Sequence, residues 1–141
     1  MKKLIVWLLV SVVTFAAINS FIANKQGLQN EVVEKNEKYK ECIRACNETI
    51  MACNNCIKAC SNNNDPKLTK CIQYCKECIV ICKSSIQLMQ LNSSYVKEMC
   101  NLCAKMCEIC AKECDMKDMK AAKDCSAACL KAAKMCKEIQ M

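Results

Sequence analysis

The sequence predicts an all-α fold, an antiparallel up-down-up-down four-helix bundle with a cysteine-lined core. The 141 residues include one Gly and one Pro, too few for a fold built from strands and tight turns. From Cys100 to Cys114, the cysteines are separated by steps of three, four, three and four residues, which places them on one face of an α-helix. In an ordinary bundle this face carries Leu, Ile or Val. Here it carries a continuous column of thiols.

The N-terminal 23 residues have the pattern of a secretory signal peptide. Two lysines follow the first Met, and Leu4–Ile18 is mostly apolar, as in the n-region and h-region of such a signal. We expect cleavage near Ala23 and export to the periplasm or the extracellular space. An uncleaved segment would instead anchor the protein in a membrane, with the bundle outside the cytoplasm. Residues 24–35 are a polar lead-in, and residues 36–141 form the predicted Cys-rich bundle.

The first bundle helix is expected to start near Asn30 and to run to about Asn62. Its column consists of Cys42, Cys46, Cys53, Cys56 and Cys60. The polar segment Ser61–Pro66 then ends the helix, and Asp65 and Pro66 are a favourable N-cap and first residue for the next one. The second helix is predicted over about residues 66–91. Its column consists of Cys71, Cys75, Cys78 and Cys82.

The third helix is predicted to follow the short turn Asn92–Ser94, with a serine as its cap. Its column consists of Cys100, Cys103, Cys107, Cys110 and Cys114. Asp115 or Asp118 is expected to cap the fourth helix. Its column consists of Cys125, Cys129 and Cys136, with Ala132 at the position between the last two.

Antiparallel alignment of the four helices arranges the columns in tiers. The predicted tiers are Cys60, Cys71 and Cys114; Cys56, Cys75, Cys110 and Cys125; Cys53, Cys78, Cys107 and Cys129; Thr49, Cys82, Cys103 and Ala132; and Cys46, Ser85, Cys100 and Cys136. Cys42 is expected beyond these tiers, beside Met89 and Val96. The core of the bundle is therefore expected to be filled with thiols.

Two uses of such a column do not involve metal. Disulfides between helices are feasible in an exported protein, and a structural, disulfide-linked bundle is the alternative function. Redox catalysis is disfavoured because none of the C-x-x-C pairs follows a strand or opens a helix. The chain has no His, which removes the usual general base and the usual partner of a Cys nucleophile. We therefore expect that the protein is not an enzyme.

Metal binding is the use that fits the whole column. Thiolates without imidazole or oxygen ligands select Cu(I), zinc or iron–sulfur clusters. Zinc requires closed sets of four ligands, and iron–sulfur motifs require loops around the cluster. Cu(I) needs only two or three thiolates, so neighbouring ions can share ligands along a helix. The sequence therefore predicts that multiple Cu(I) ions bind to each chain.

The net charge of +7 does not indicate nucleic-acid binding. It results from 21 basic and 14 acidic residues, but the lysines are scattered between the cysteines. Arg44 is the only arginine, whereas phosphate and base recognition usually draws on Arg. We expect a solvated basic surface and no nucleic-acid partner.

The repeated Cys-x3-Cys and Cys-x2-Cys pairs resemble those of the bacterial copper storage proteins, a family of Cys-rich four-helix bundles. The resemblance covers about residues 36–141. It implies a bundle filled with Cu(I), with each ion held mostly by two thiolates, and oligomers of such bundles. Members of this family often have His at the bundle mouth, and this chain has none. The implied metal ligands are Cys42, Cys46, Cys53, Cys56, Cys60, Cys71, Cys75, Cys78, Cys82, Cys100, Cys103, Cys107, Cys110, Cys114, Cys125, Cys129 and Cys136.

Met116 and Met119 are further candidate ligands for copper. They lie between the third and fourth predicted helices, at the end of the bundle that contains Cys60, Cys71 and Cys114. A thioether is a soft ligand that does not form disulfides, so the two side chains would pass Cu(I) to these thiols. The expected partners are copper ions and a copper donor or acceptor protein. A membrane is a partner only if the N-terminal segment is uncleaved.

Overall fold

A computed structural model describes the backbone of residues 2–63 and 65–139 and the side chains of residues 29–63 and 65–139. It contains four α-helices, α1 (Lys2–Ser61), α2 (Thr69–Gln90), α3 (Val96–Asp115) and α4 (Lys120–Glu138), and a short 3-10 helix (Pro66–Leu68) before α2. No strand is present in the described backbone. The chain divides into two compact units, Met1–Asn36 and Glu37–Met141. The bundle is the second unit.

Helix α1 begins at Lys2 and not near Asn30, so the predicted start was wrong. Gly27 is the only Gly between these positions, which contain no Pro, and one Gly costs only about 1 kcal/mol in a helix. The predicted signal peptide, residues 1–23, lies outside the residues whose side chains are described. Where side chains are described, no helix is long and apolar enough to span a membrane.

The helix caps that the sequence predicts are found in the structure only in part. The Asp65 side chain accepts a hydrogen bond from the backbone N–H of Lys67 at 2.9 Å, which confirms Asp65 as the cap before Pro66. Ser93 accepts from the N–H of Tyr95 at 3.2 Å within the turn, but helix α3 begins later, with Tyr95 as its N-cap. Neither predicted aspartate caps α4, because its N-cap is Met119, without a side-chain hydrogen bond.

Contacts between the helices define an antiparallel ring. From α1 to α4, Cys42 contacts Cys136 and Cys53 contacts Cys125, so the two helices run in opposite directions. The same reversal relates α2 to α3. Cys71 contacts Cys114 near the start of α2, and Cys82 contacts Cys103 later in that helix. Cys56 of α1 contacts Cys71 of α2. The core is the space that these four columns enclose.

The two ends of the core are closed by different side chains. At one end, which we call the loop end, Leu68 is buried and lines a cleft together with Met116–Met119, the turn between α3 and α4. At the other end, the far end, Met89, Val96 and Tyr39 are buried. Isoleucines on the flanks of the helices, such as Ile43 and Ile79, pack partly buried against the core.

Candidate metal centre

All 17 cysteines are free and buried in the bundle. Sixteen have no exposed surface, and Cys60 at the loop end is 2% exposed. Their sulfur atoms contact one another at distances between 3.4 and 4.0 Å. The helical spacing of the sequence produces this arrangement, because positions three and four residues apart lie on the face that each helix turns to the core. The result is a continuous network of sulfur.

The half of the column near the loop end contains sets of four thiols. Within each set, all Sγ atoms lie within 4.8 Å of one another. Three such sets are Cys53, Cys78, Cys110 and Cys129; Cys53, Cys75, Cys110 and Cys125; and Cys56, Cys75, Cys114 and Cys125. The first and the third have no residue in common, so two closed four-thiol sites exist side by side.

The half of the column near the far end contains sets of three thiols. They are Cys42, Cys100 and Cys136, and Cys46, Cys82 and Cys103. In this half the predicted tiers were wrong by one step of α1, since Cys42 was expected beyond the other thiols and Cys46 beside Cys100. In the loop-end half they were wrong by one step of α3, since Cys110 and Cys114 take the places predicted for Cys107 and Cys110. The helices of a bundle cross at an angle and coil around one another, so tiers drawn for straight helices lose their register along the column.

Three buried positions of the column carry no sulfur: Thr49, Ser85 and Ala132, all with no exposed surface. The Thr49 hydroxyl donates to the carbonyl oxygens of Ala45 and Ala128, both at 3.0 Å. The Ser85 hydroxyl donates to the carbonyl oxygen of Ile81 at 2.9 Å. Both hydroxyl groups are therefore satisfied by backbone.

The thiols hydrogen-bond to one another, and this network alters their acidity. Burial raises the pKa of the Cys60 thiol, and the charge of Cys71 nearby acts in the same direction. Hydrogen bonds from Cys136 and Cys42 lower the pKa of Cys100 to about 4. A thiol that receives hydrogen bonds from its neighbours holds negative charge more readily.

No lysine or arginine is buried among residues 29–63 and 65–139. The buried carboxylate of Glu113, which the sequence did not indicate as buried, accepts from Lys117 at 2.7 Å and lies 3.8 Å from Lys70. Its only signal in the sequence is the i,i+4 spacing to Lys117. Negative charge on the sulfurs therefore has no buried cation to balance it in the described residues. A monovalent metal ion that replaces a thiol proton leaves the charge of the core unchanged.

The two candidate methionines lie at the loop end in different environments. Met119 is partly buried and packs against the core, and the amide nitrogen of Asn63 lies 4.0 Å from its sulfur. Met116 is 63% exposed. Both line a cleft of about 340 Å³ together with Asn63, Asp65 and Lys117.

Comparison with known proteins identifies the family to which this cysteine column belongs. The family described as copper storage protein matches residues 35–141. The chain belongs to the copper storage protein family. The predicted resemblance and the predicted function in copper storage are confirmed, and the family is one of storage proteins. Among curated proteins, no sequence matches this chain.

Solved structures of copper storage proteins have the same fold. The Cu(I)-bound copper storage protein BsCsp3 is 34% identical over 74% of this chain and 99% of its own, with a TM-score of 0.71. The apo form of copper storage protein 3 from Bacillus subtilis is 35% identical over 72% of this chain and 98% of its own, with a TM-score of 0.68. A cytosolic copper storage protein from Streptomyces lividans, described with five coppers, is 25% identical over 75% and 94%, with a TM-score of 0.69. The predicted four-helix bundle is confirmed.

The prediction of an exported protein is contradicted by the last of these comparisons. The Streptomyces lividans copper storage protein is described as cytosolic. Leu4–Ile18, which was interpreted as a signal sequence, is part of α1 in the structure. The apolar region of a signal sequence is compatible with a helix, so the signal peptide over residues 1–23 stays a prediction.

Proposed function

We propose that the 17 cysteines are the ligands through which this copper storage protein holds many Cu(I) ions per chain. The observation that carries this proposal is the continuous sulfur network, in which neighbouring Sγ atoms lie 3.4 to 4.0 Å apart. A metal–thiolate bond of about 2.3 Å places two sulfurs on one ion about 3.8 to 4.6 Å apart, from tetrahedral to linear geometry. Small side-chain adjustments therefore suffice for metal to bridge adjacent thiols, and one thiolate can serve two ions.

The experiment is an anaerobic titration of the reduced protein with Cu(I) against a competing chelator. We expect saturation at a number of ions comparable to the number of cysteines, because shared thiolates raise capacity above one ion for every two ligands. Saturation at one or two ions per chain would contradict storage in the column. A count of free thiols on the same sample distinguishes a copper store from a disulfide-linked bundle, in which few thiols remain reactive.

Copper access at the loop end is the second part of the proposal, with Met116 and Met119 passing Cu(I) to the nearest thiols. Cys60 at the loop end is the one cysteine with exposed surface, at 2%, whereas the far-end thiols of Cys42, Cys100 and Cys136 have none. Met119 packs against the core, and Met116 lies outside it on the same cleft. Loop-end thiols are thus nearer to solvent than far-end thiols.

The test replaces both methionines by leucine (Met116→Leu and Met119→Leu), which keeps the volume and removes the thioether. We expect slower loading and slower removal of copper at unchanged capacity. Met99→Leu with Met135→Leu is the matched control, because it also removes two thioethers, of which Met135 packs partly buried against the core as Met119 does, but both lie beside Cys100 and Cys136 of the far end. Exchange rates equal to those of the control would exclude a role for the two methionines.

The remaining parts of the proposal concern partners. A copper donor or acceptor protein would meet the bundle at the loop end, and a homo-oligomer of bundles is consistent with the family. The absence of His from the chain supports a storage role without catalysis, and the scattered lysines support a protein without a nucleic-acid partner. The storage domain is proposed to begin near residue 36.

A further inference from the structure

The sulfur column is interrupted on two of its four sides. On α1, Thr49 stands between Cys46 and Cys53, and on α4, Ala132 stands between Cys129 and Cys136. Both replacements are fully buried in the column. Each gap separates cysteines seven residues apart, which is about 10 Å along a helix. One metal ion spans at most about 4.6 Å between two sulfurs, so no ion can connect the thiols across either gap.

The residues in the gaps cannot act as ligands themselves. The Thr49 hydroxyl is engaged by two backbone carbonyls, one on its own helix and one on α4. An alcohol oxygen is also a hard ligand that Cu(I) disfavours. Ala132 has no ligand atom.

On α3 the column is unbroken, and on α2 it is unbroken as far as Cys82, beyond which the buried Ser85 carries no sulfur. Cys82 of α2 lies 4.0 Å from Cys78, 3.9 Å from Cys107 and 3.7 Å from Cys103. Cys103 lies 4.0 Å from Cys107. These four thiols on α2 and α3 provide the only sulfur path between the halves that the described residues offer.

We propose that the store is divided into two compartments, joined by a bridge that consists of Cys78, Cys82, Cys103 and Cys107. This inference rests on the proposed ligand role of the cysteines and on the proposed access of copper at the loop end. The far compartment holds six thiols: Cys42, Cys46, Cys82, Cys100, Cys103 and Cys136. The other eleven of the 17 form the loop-end compartment. Copper that enters at the loop end reaches the far compartment by exchange from thiolate to thiolate across the bridge.

Division of the store has a kinetic consequence. In the four-thiol sets near the loop end, an ion has several neighbouring sulfurs to which it can move. At the bridge it has sulfurs on α2 and α3 alone. Removal of copper by a chelator is therefore expected in two phases, with the slow phase representing the far compartment.

The first test restores sulfur to both gaps. The variant with Thr49→Cys and Ala132→Cys adds two thiols to the interrupted tier, and the variant with Thr49→Ser and Ala132→Ser is the matched control, since Ser has the size of Cys without its sulfur. We expect the slow phase to be lost in the cysteine variant and to persist in the serine variant. Release with the same phases in both variants overturns the proposal.

The second test interrupts the bridge and needs no added side chains. Cys82→Ser with Cys103→Ser is compared with Cys75→Ser with Cys110→Ser, which also removes two thiols, but from sets with four thiols. In the bridge variant, the copper ions that bind to Cys42, Cys46, Cys100 and Cys136 are expected to load slowly, so that the amount of copper taken up in the rapid phase falls. Equal losses in both variants contradict the compartments.

The two proposals fail in different ways. Capacity of one or two ions in the unchanged chain refutes the ligand role of the column. Full capacity with a single release phase in the unchanged chain leaves the ligand role intact and refutes the division. Circular dichroism of each variant establishes whether the bundle is folded. If the variant with Thr49→Cys and Ala132→Cys does not fold, the second test, which uses only serine substitutions, decides the question.

Discussion

Substitution of Zn²⁺ for Cu(I) changes the charge of the bundle core, and this change predicts the metal selectivity. The two separate four-thiol sets, Cys53/Cys78/Cys110/Cys129 and Cys56/Cys75/Cys114/Cys125, have the ligand number that zinc prefers. Four thiolates around Zn²⁺ carry a net charge of −2. No lysine or arginine is buried among the described residues to compensate it.

The magnitude follows from the spacing of the two sets. Their cysteines are three or four residues apart on each helix, which is about 5 Å along the bundle axis. Two charges of −2 at about 5 Å repel by about 13 kcal/mol at an effective dielectric constant of about 20. Retained thiol protons relieve this repulsion, but a protonated thiol is a poor ligand. We therefore expect at most one tightly held Zn²⁺ per chain.

The assay is anaerobic incubation of the reduced apo-protein with excess Zn²⁺ or Cu(I), desalting, and measurement of metal and protein in the same sample. Co²⁺ is a useful probe, since its absorption spectrum identifies tetrahedral thiolate coordination. Prior incubation with Zn²⁺ should leave the Cu(I) capacity unchanged. Retention of two or more Zn²⁺ ions per chain would refute the charge argument.

Three further predictions concern the fold. Reduced apo-protein should have a mainly helical circular dichroism spectrum, unlike a zinc finger, whose fold depends on its ion; a random-coil spectrum that becomes helical only with copper would contradict this. Lys117→Met should lower the free energy of unfolding by about 2 kcal/mol, because the buried Glu113 carboxylate loses its hydrogen bond from Lys117 and keeps only Lys70 at 3.8 Å. Denaturant titration should show that adding Glu113→Gln recovers most of this loss, and equal losses would argue against the ion pair. The Lys131 ammonium group donates to the Glu48 carboxylate at 2.6 Å and holds the pKa of Glu48 below its ordinary value of 4.5. The stabilisation that this ion pair contributes is therefore complete above about pH 4.5 and is lost as the pH falls through the lowered pKa. The difference in Tm between the unchanged protein and Lys131→Gln should accordingly disappear in acid, and its persistence there would exclude this pair as the cause.

Local features of the chain were predictable from sequence. The spacing of the cysteines fixed which face of each helix is buried, since that face depends only on helical periodicity. Asp65 and Pro66 identified the start of the second helical segment because a cap involves neighbouring residues. These features, with the scarcity of Gly and Pro, led to the bundle and to the thiol core.

Features that depend on the relative placement of helices were not predictable in the same way. The contact of Cys42 with Cys136 at 3.4 Å depends on how α1 crosses α4, which no local pattern encodes. Asp115, a plausible cap by its position, lies 3.2 Å from the ammonium group of Lys123 on α4. In that case a tertiary ion pair replaced the local hydrogen bond.

The burial of every thiol affects how other proteins can recognise the copper-loaded state. Sixteen of the 17 cysteines have no exposed surface, and exchange of protons for monovalent copper leaves the interior charge constant. The outer surface, with its lysines and carboxylates, would then have the same electrostatic potential in the empty and the full protein. The surface potential along the helices is therefore the same whatever amount of copper is bound. A partner protein can distinguish the two states only at the end of the bundle, by whether copper is still accepted or released there.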